Sequence, residues 1–342
     1  MKIVVYVLVG VIVMVGLVIG CAAPAPAPAP TPAPAPAVKP ITLKHITCIP
    51  YYPNSPSNKH YTEYIVERVK EQSKGQLIIE MLGGPEVIPA ANQIEALRSG
   101  VIDIAWIFPD YYKSMVPENT IYSVSEFNPY EGRERGYNDY INKLHKKYGL
   151  FYLGRTQEGG YLLYTKKLVK TPYSDFRGQK MGMGGALWVA LADKLGIVPV
   201  VMAVAEKYTA LERGVIDGTS CNAVLATSMR YGEVCKYRID HLLWQNDGSP
   251  IVMNLDSWNK LPKQLQDVLM GEMINMEKSR APLLEKMIEE DRNGVIKQGC
   301  EMIKFSPADA KWYVNIANEA NWEVFQKQCP EAYPILRDML RK

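Results

Sequence analysis

Ala96-Leu97-Arg98-Ser99-Gly100-Val101-Ile102-Asp103 and Ala210-Leu211-Glu212-Arg213-Gly214-Val215-Ile216-Asp217 are one phrase, Ala-Leu-x-x-Gly-Val-Ile-Asp, met twice in the chain. Each copy reads as a helix that ends at a glycine able to take positive φ, followed at once by a short strand of β-branched residues. Each strand delivers its next residues to the same kind of sheet edge: Ala105-Trp106-Ile107 after the first copy, Thr219-Ser220-Cys221-Asn222 after the second. Carboxyl edges of this kind are where α/β sheets bind ligands.

Upstream of each copy the same order of elements recurs. Ile41 to Ile46 alternates as a strand, residues 57–73 have helical spacing closed by Lys74-Gly75, Leu77 to Met81 is a strand, and a helix over 90–99 leads into the first copy. In the second half, a strand from Gln179 enters the glycine turn Gly182-Met183-Gly184-Gly185. A helix over 186–195, a strand over 198–202 and a helix over 205–213 come next. Between these halves, Gly132 to Tyr148 reads as a helix, and 150–154 and 159–164 as strands. Strand and helix alternate with short connections, which predicts two mainly parallel sheets with flanking helices: an α/β fold of two lobes facing a cleft. After a strand over 249–254, the long amphipathic stretch 262–298, which contains Pro282, and a helix capped by Ser306-Pro307-Ala308-Asp309 are expected to pack across both lobes.

The N-terminus is of another kind. Ile3 to Ile19 is an apolar run behind Lys2, ending Val18-Ile19-Gly20-Cys21, at the short limit for spanning a bilayer. Residues 22–40 alternate Ala and Pro, a composition that extends as polyproline II and reaches on the order of 60 Å at about 3.1 Å per residue. Whether the run is a cleaved signal or an uncleaved helix, the chain beyond it is expected outside the cytoplasm. The expected organisation is a signal peptide over 1–20, a tether over 21–40, lobe 1 over 41–160 with contributions from the C-terminal region, lobe 2 over 161–255, and bridging helices over 256–342.

Composition narrows the function. The 342 residues are 47% hydrophobic and 22% charged, enough apolar material for two substantial cores. The formal charge of +3 falls to +2 once Lys2 is set aside, and no basic block marks a nucleic-acid surface. The four histidines, at 45, 60, 145 and 241, lack metal-ligand spacing, and no Gly-x-Ser-x-Gly elbow is present. The expectation is a non-enzyme without metal or cofactor. Beyond Cys21, the cysteines at 48, 221, 235, 300 and 329 are odd in number, so at least one thiol stays free. Cys300–Cys329 and Cys221–Cys235 are candidate bridges, against burial as thiols.

Taken in order, the Val18–Cys21 lipobox, the tether, both copies of the phrase, Lys170-Thr171-Pro172 and Phe176-Arg177-Gly178-Gln179-Lys180 resemble the lipoprotein form of the DctP-like receptors of TRAP (tripartite ATP-independent periplasmic) transporters. The resemblance runs from about residue 41 to the C-terminus. It implies a two-lobed extracytoplasmic receptor, anchored through a lipid on Cys21, that closes on a small organic acid and delivers it to two integral membrane subunits. A lipid-anchored sensor or scaffold without transport is the alternative.

The chain departs from the family where the ligand carboxylate is usually held. Gly182 stands where members usually carry Arg, and Tyr161-Leu162-Leu163-Tyr164-Thr165 lacks the second family Arg, with Leu162 near its place. Three readings stay open. The turn Gly182-Met183-Gly184 can offer backbone N–H groups to an anion at a helix start. Arg155 can act as a relocated cation, or simply pair with Glu158 at the surface. Or no anion is bound, and a neutral, aromatic or branched apolar ligand meets Tyr51, Tyr52, Trp106, Tyr161 and Trp188, with Asn222 as a polar contact.

Overall fold

The computed structural model describes residues 39–51, 56–202 and 204–342. The signal run, Cys21, the tether to residue 38 and Tyr52 lie outside the described residues. Among the described residues eleven strands form two sheets. They are β1 (Ile41–Thr47), β2 (Leu77–Gly83), β3 (Ile104–Trp106), β4 (Leu150–Arg155), β5 (Tyr161–Thr165), β6 (Lys180–Met183), β7 (Val198–Val201), β8 (Gly218–Asn222), β9 (Tyr237–Leu243), β10 (Pro250–Asn254) and β11 (Glu301–Ile303). The first sheet runs β2-β1-β3-β10-β4 and the second β11-β9-β5-β8-β6-β7.

Parallel pairing holds where helices return the chain, in β2-β1-β3 and in β8-β6-β7. It gives way where the chain crosses between lobes, since β10 and β5 each enter antiparallel to their neighbours. Both sheets are therefore mixed. β10 belongs to the first sheet, so the span 161–255 is not all second lobe, and the chain leaves that lobe after β9.

The repeated phrase is built twice in matching detail. Gly100 and Gly214 take φ of +75° and +73°, and Val101 and Val215 each donate back to the alanine that opens their copy. Leu97 and Leu211, with Ile102 and Ile216, are buried, whereas Val101 and Val215 are more than half exposed. The strand thus starts after the aspartate, not at the valine. Each aspartate clamps the neighbouring strand: Asp103 Oδ2 accepts from the Lys44 N–H at 2.8 Å, and Asp217 Oδ2 from the Lys180 N–H at 2.9 Å.

Two crossovers, 156–160 and 244–249, run side by side between the sheets. The Thr156 N–H donates to the Ser249 carbonyl at 2.9 Å, and the Glu158 N–H to the Asp247 carbonyl at 2.7 Å. Gly160 has φ +74° and a Cβ there would run into the Leu243 and Trp244 carbonyls, so a side chain fits neither the backbone nor the space. The helix over Lys263–Lys297 pairs Glu272 with Arg68 and Glu277 with Arg133, both at 2.6 Å on the first lobe. Beyond Pro282 it holds the second lobe through Asp291 with the Thr227 N–H and Arg292 with Asp240. The helix over Pro307–Gln328 packs on the helix Ala186–Leu195 of the second lobe and on residues 117–124 of the first. Its start is as the sequence reads, with Ser306 Oγ accepting from the Asp309 N–H. The helix expected over 132–148 is broken at Gly136, φ +89°, into Pro129–Glu134 and Tyr137–Lys146.

Candidate functional site

Side chains of both lobes converge on the two crossovers. Arg155, the last residue of β4, is only 1% exposed because every position of that strand is buried, and the strand carries its side chain inward. Its Nη2 donates to the Gly248 carbonyl at 2.7 Å and its guanidinium carbon lies 4.1 Å from the centre of the Tyr122 ring. Nε and Nη1 have no hydrogen-bond partner among the described residues. The surface pair with Glu158 does not form. Glu158 instead faces Arg280 of the long helix, at 3.9 Å, and Arg280 Nε donates to the Gln157 carbonyl. His60, Tyr61, Arg155, Glu158 and Arg280 line a small cavity under the crossover with room for about one water molecule.

Asp247 sits on the second crossover, 7% exposed. It accepts the Ser123 hydroxyl from the first lobe and the Tyr161 hydroxyl from the second. Burial raises its pKa, opposed by those hydrogen bonds and by the Arg155 charge. Asp247 therefore ties both lobes to the crossover. Beside it, Tyr161, Trp188 and Trp244 meet edge to face, with ring centres 4.7 to 6.1 Å apart.

The remaining expected residues are dispersed. Trp106 is no cleft wall: at 1% exposure it packs on Tyr61, 4.8 Å between ring centres, in the core between the first sheet and the helices behind it. β3 is buried on both faces, and alternation turns Trp106 away from the side taken by Ala105 and Ile107. Tyr51 is half-buried and shares a hydrogen bond with Thr62. Trp188 and Met183 are core residues, 4% and 1% exposed. Asn222, opposite Tyr161 across the strand pair, spends its Oδ1 on the Val224 N–H.

The glycine turn does not make an open anion seat. A Cβ at Gly182 would lie 2.8 Å from Ile216 Cδ1 and 3.4 Å from Met202 Sδ, so a side chain at the place of the family Arg enters only if the Ile216 side chain shifts. Open space surrounds Gly184, but the carboxylate of Asp110 approaches Gly185 from the first lobe. Cys48, Cys221, Cys235, Cys300 and Cys329 are free and buried, with neither candidate bridge formed. Burial holds the Cys48 and Cys221 thiols up at about 12. Sequence reasoning missed Ser123, Asp247 and Arg280, because no motif marks them and their roles depend on partners far away in the chain. Among the described residues no group of three or more His, Cys, Asp or Glu could hold a metal ion, and no helix is long and apolar enough to cross a membrane.

Two mixed sheets joined by paired crossovers and bridged by long C-terminal helices define a two-lobed solute-binding protein. The family model for DctP, bacterial extracellular solute-binding protein, family 7, matches residues 51–328, and the chain belongs to that family. A solute-binding protein of Albidiferax ferrireducens is 24% identical over 266 residues, covering 75% of this chain and 77% of its own. Among solved structures, a TRAP periplasmic solute-binding protein from Sulfitobacter sp. NAS-14.1 with bound β-D-galacturonate aligns with TM-score 0.70 at 20% identity, over 88% of this chain and 99% of that one. Another from Haemophilus influenzae with bound L-gulonate aligns with TM-score 0.70 at 23% identity, over 87% and 98%.

Proposed function

We propose that this chain is an extracytoplasmic receptor that captures a small organic acid between its lobes and delivers it to the two membrane subunits of a TRAP-type transporter. Within this reading, Cys21 carries the lipid anchor and the Ala/Pro tether sets the body off the membrane. The observation that carries the acid is Arg155, a buried guanidinium at the crossover between lobes with two nitrogens left without partners. Nε–H and Nη1–H are charged donors, and a carboxylate oxygen accepts from either more strongly than a neutral group does. The acids bound by the two structural relatives point the same way. The partly buried ring of Tyr161, backed by the core rings of Trp188 and Trp244, suits a ligand with an aromatic or branched body more than one covered in hydroxyls. Ligand contacts to both lobes select the closed form, with the paired crossovers as hinge.

Mass spectrometry of the solute released on denaturing the purified protein tests this reading. The expected result is a carboxylic acid, absent from Arg155→Gln protein prepared in parallel, with X-ray scattering showing compaction when it is added back. A neutral or cationic solute, retained by Arg155→Gln, would refute it.

A further inference from the structure

The second lobe has no guanidinium at residue 182, but it buries a different cation at the same edge. Lys207, in the first turn of the helix Val204–Glu212, is 6% exposed. Its Nζ donates to the Ser220 carbonyl at 3.1 Å, and that is its only hydrogen bond among the described residues. No carboxylate there forms an ion pair with it, and its charged-state neighbour Cys221 is a neutral thiol. An ammonium has three N–H donors, so among the described residues two remain open and no carboxylate compensates the charge. Burial disfavours the charged ammonium and lowers its pKa, and an anion sharing the site would reverse that.

The ammonium's position decides what the anion is for. β6 and β8 pair through Met181–Gly218 and Gly182–Thr219 and no further, whereas β5 stays paired with β8 as far as Asn222. Lys207 meets β8 at Ser220, one residue past the last β6 pair, where the parallel strands part at their carboxyl ends. That crevice is where a parallel sheet takes its ligand. Thr219 Oγ1, donating to the Gly182 carbonyl at 2.9 Å, and Ile216 close the gap on the side where a residue-182 side chain would enter.

We propose that Lys207 is the second lobe's anchor for a ligand carboxylate, in place of the guanidinium that Gly182 cannot supply. This rests on the receptor reading above and deepens it: with Arg155 on the first lobe, each lobe brings one incompletely paired cation to the cleft. Closing the lobes then brings both cations to the same bound acid.

Acetate is a sufficient probe, because it carries the anchored group and nothing else. Unfolding midpoints are measured against acetate at constant ionic strength, with chloride as the balancing anion, for the wild type, Lys207→Met, Lys207→Arg and Arg155→Gln. Specific binding to the folded state raises the midpoint with concentration. The expected result is an apparent acetate dissociation constant about tenfold weaker in Lys207→Met, largely regained in Lys207→Arg. The acetate-free midpoint of Lys207→Met should be unchanged or higher, since a buried charge has gone; a merely structural lysine would lower it. An acetate response equal in the wild type and Lys207→Met overturns the proposal. If that response is lost in Arg155→Gln, the receptor reading survives without Lys207. If no variant alters it, or the wild type shows none, both fall.

Discussion

Replacing Arg155 with glutamine separates a ligand anchor from a structural arginine. In the empty protein the substitution removes the Nη2 bond to the Gly248 carbonyl and the stacking over Tyr122. A hydrogen bond to a charged group contributes about 1.5–3 kcal/mol and a desolvated cation–π contact about 2. Against this, the substitution removes a buried charge with two donors unmet, each costing about 1–3 kcal/mol. Asp247 loses an opposing charge but keeps Ser123 and Tyr161. The terms nearly cancel, and the empty protein should lose no more than about 2 kcal/mol, read by urea unfolding. Affinity for the acid released from the wild type should fall further. Truncating one partner of a buried charged pair costs about 2–5 kcal/mol, which is about thirtyfold or more in dissociation constant by calorimetry. A loss of stability above about 4 kcal/mol with unchanged affinity would show that Arg155 is structural and refute the reasoning.

Two further outcomes concern stability. His45 and His145 are fully buried, and desolvation lowers their pKa values to about 3 and about 4 from 6.5. The unfolded chain therefore binds more protons between about pH 6.5 and 4, and stability falls as pH drops through that window. From pH 7 to 5 the two together cost up to about 4 kcal/mol, offset in part by Asp247 and Glu277, whose raised pKa values act with the opposite sign. Urea unfolding at the two pH values reads the sum, and equal stability at both would contradict it. Gly182→Ala should cost about 1–3 kcal/mol through the contact with Ile216 Cδ1 at 2.8 Å, and Gly182→Arg should not restore an anion anchor. A neutral Gly182→Ala midpoint in thermal unfolding would show that the gap is open.

Much of the architecture is legible in the sequence because its signals are local. The two glycine-ended helices, the helices around them and the capped helix at Ser306 follow from backbone conformations and side-chain periods that neighbouring residues dictate. Even the absent arginines can be read by position. The site is legible only in part. Arg155 is visible as a candidate, but proximity in sequence pairs it with Glu158, three residues on, whereas the chain turns that carboxylate to Arg280 of a distant helix. Trp106 and Trp188 read as cleft rings, because a tryptophan at a sheet edge carries no mark of which face will be covered.

What the sequence determined by itself is whatever a few adjacent residues control: the order of helices and strands, the doubling of the helix–strand phrase, and through these the family. Tertiary structure decided which strand joins which sheet, sending β10 back to the first lobe. It also decided which polar groups were left without partners. Asp247, Ser123 and Tyr161 meet because two crossovers run side by side, and Lys207 stands out because, among the described residues, no carboxylate forms an ion pair with it. Burial and pairing are properties of the assembled neighbourhood, so the incompletely paired cations Arg155 and Lys207 appear only once the lobes are in place.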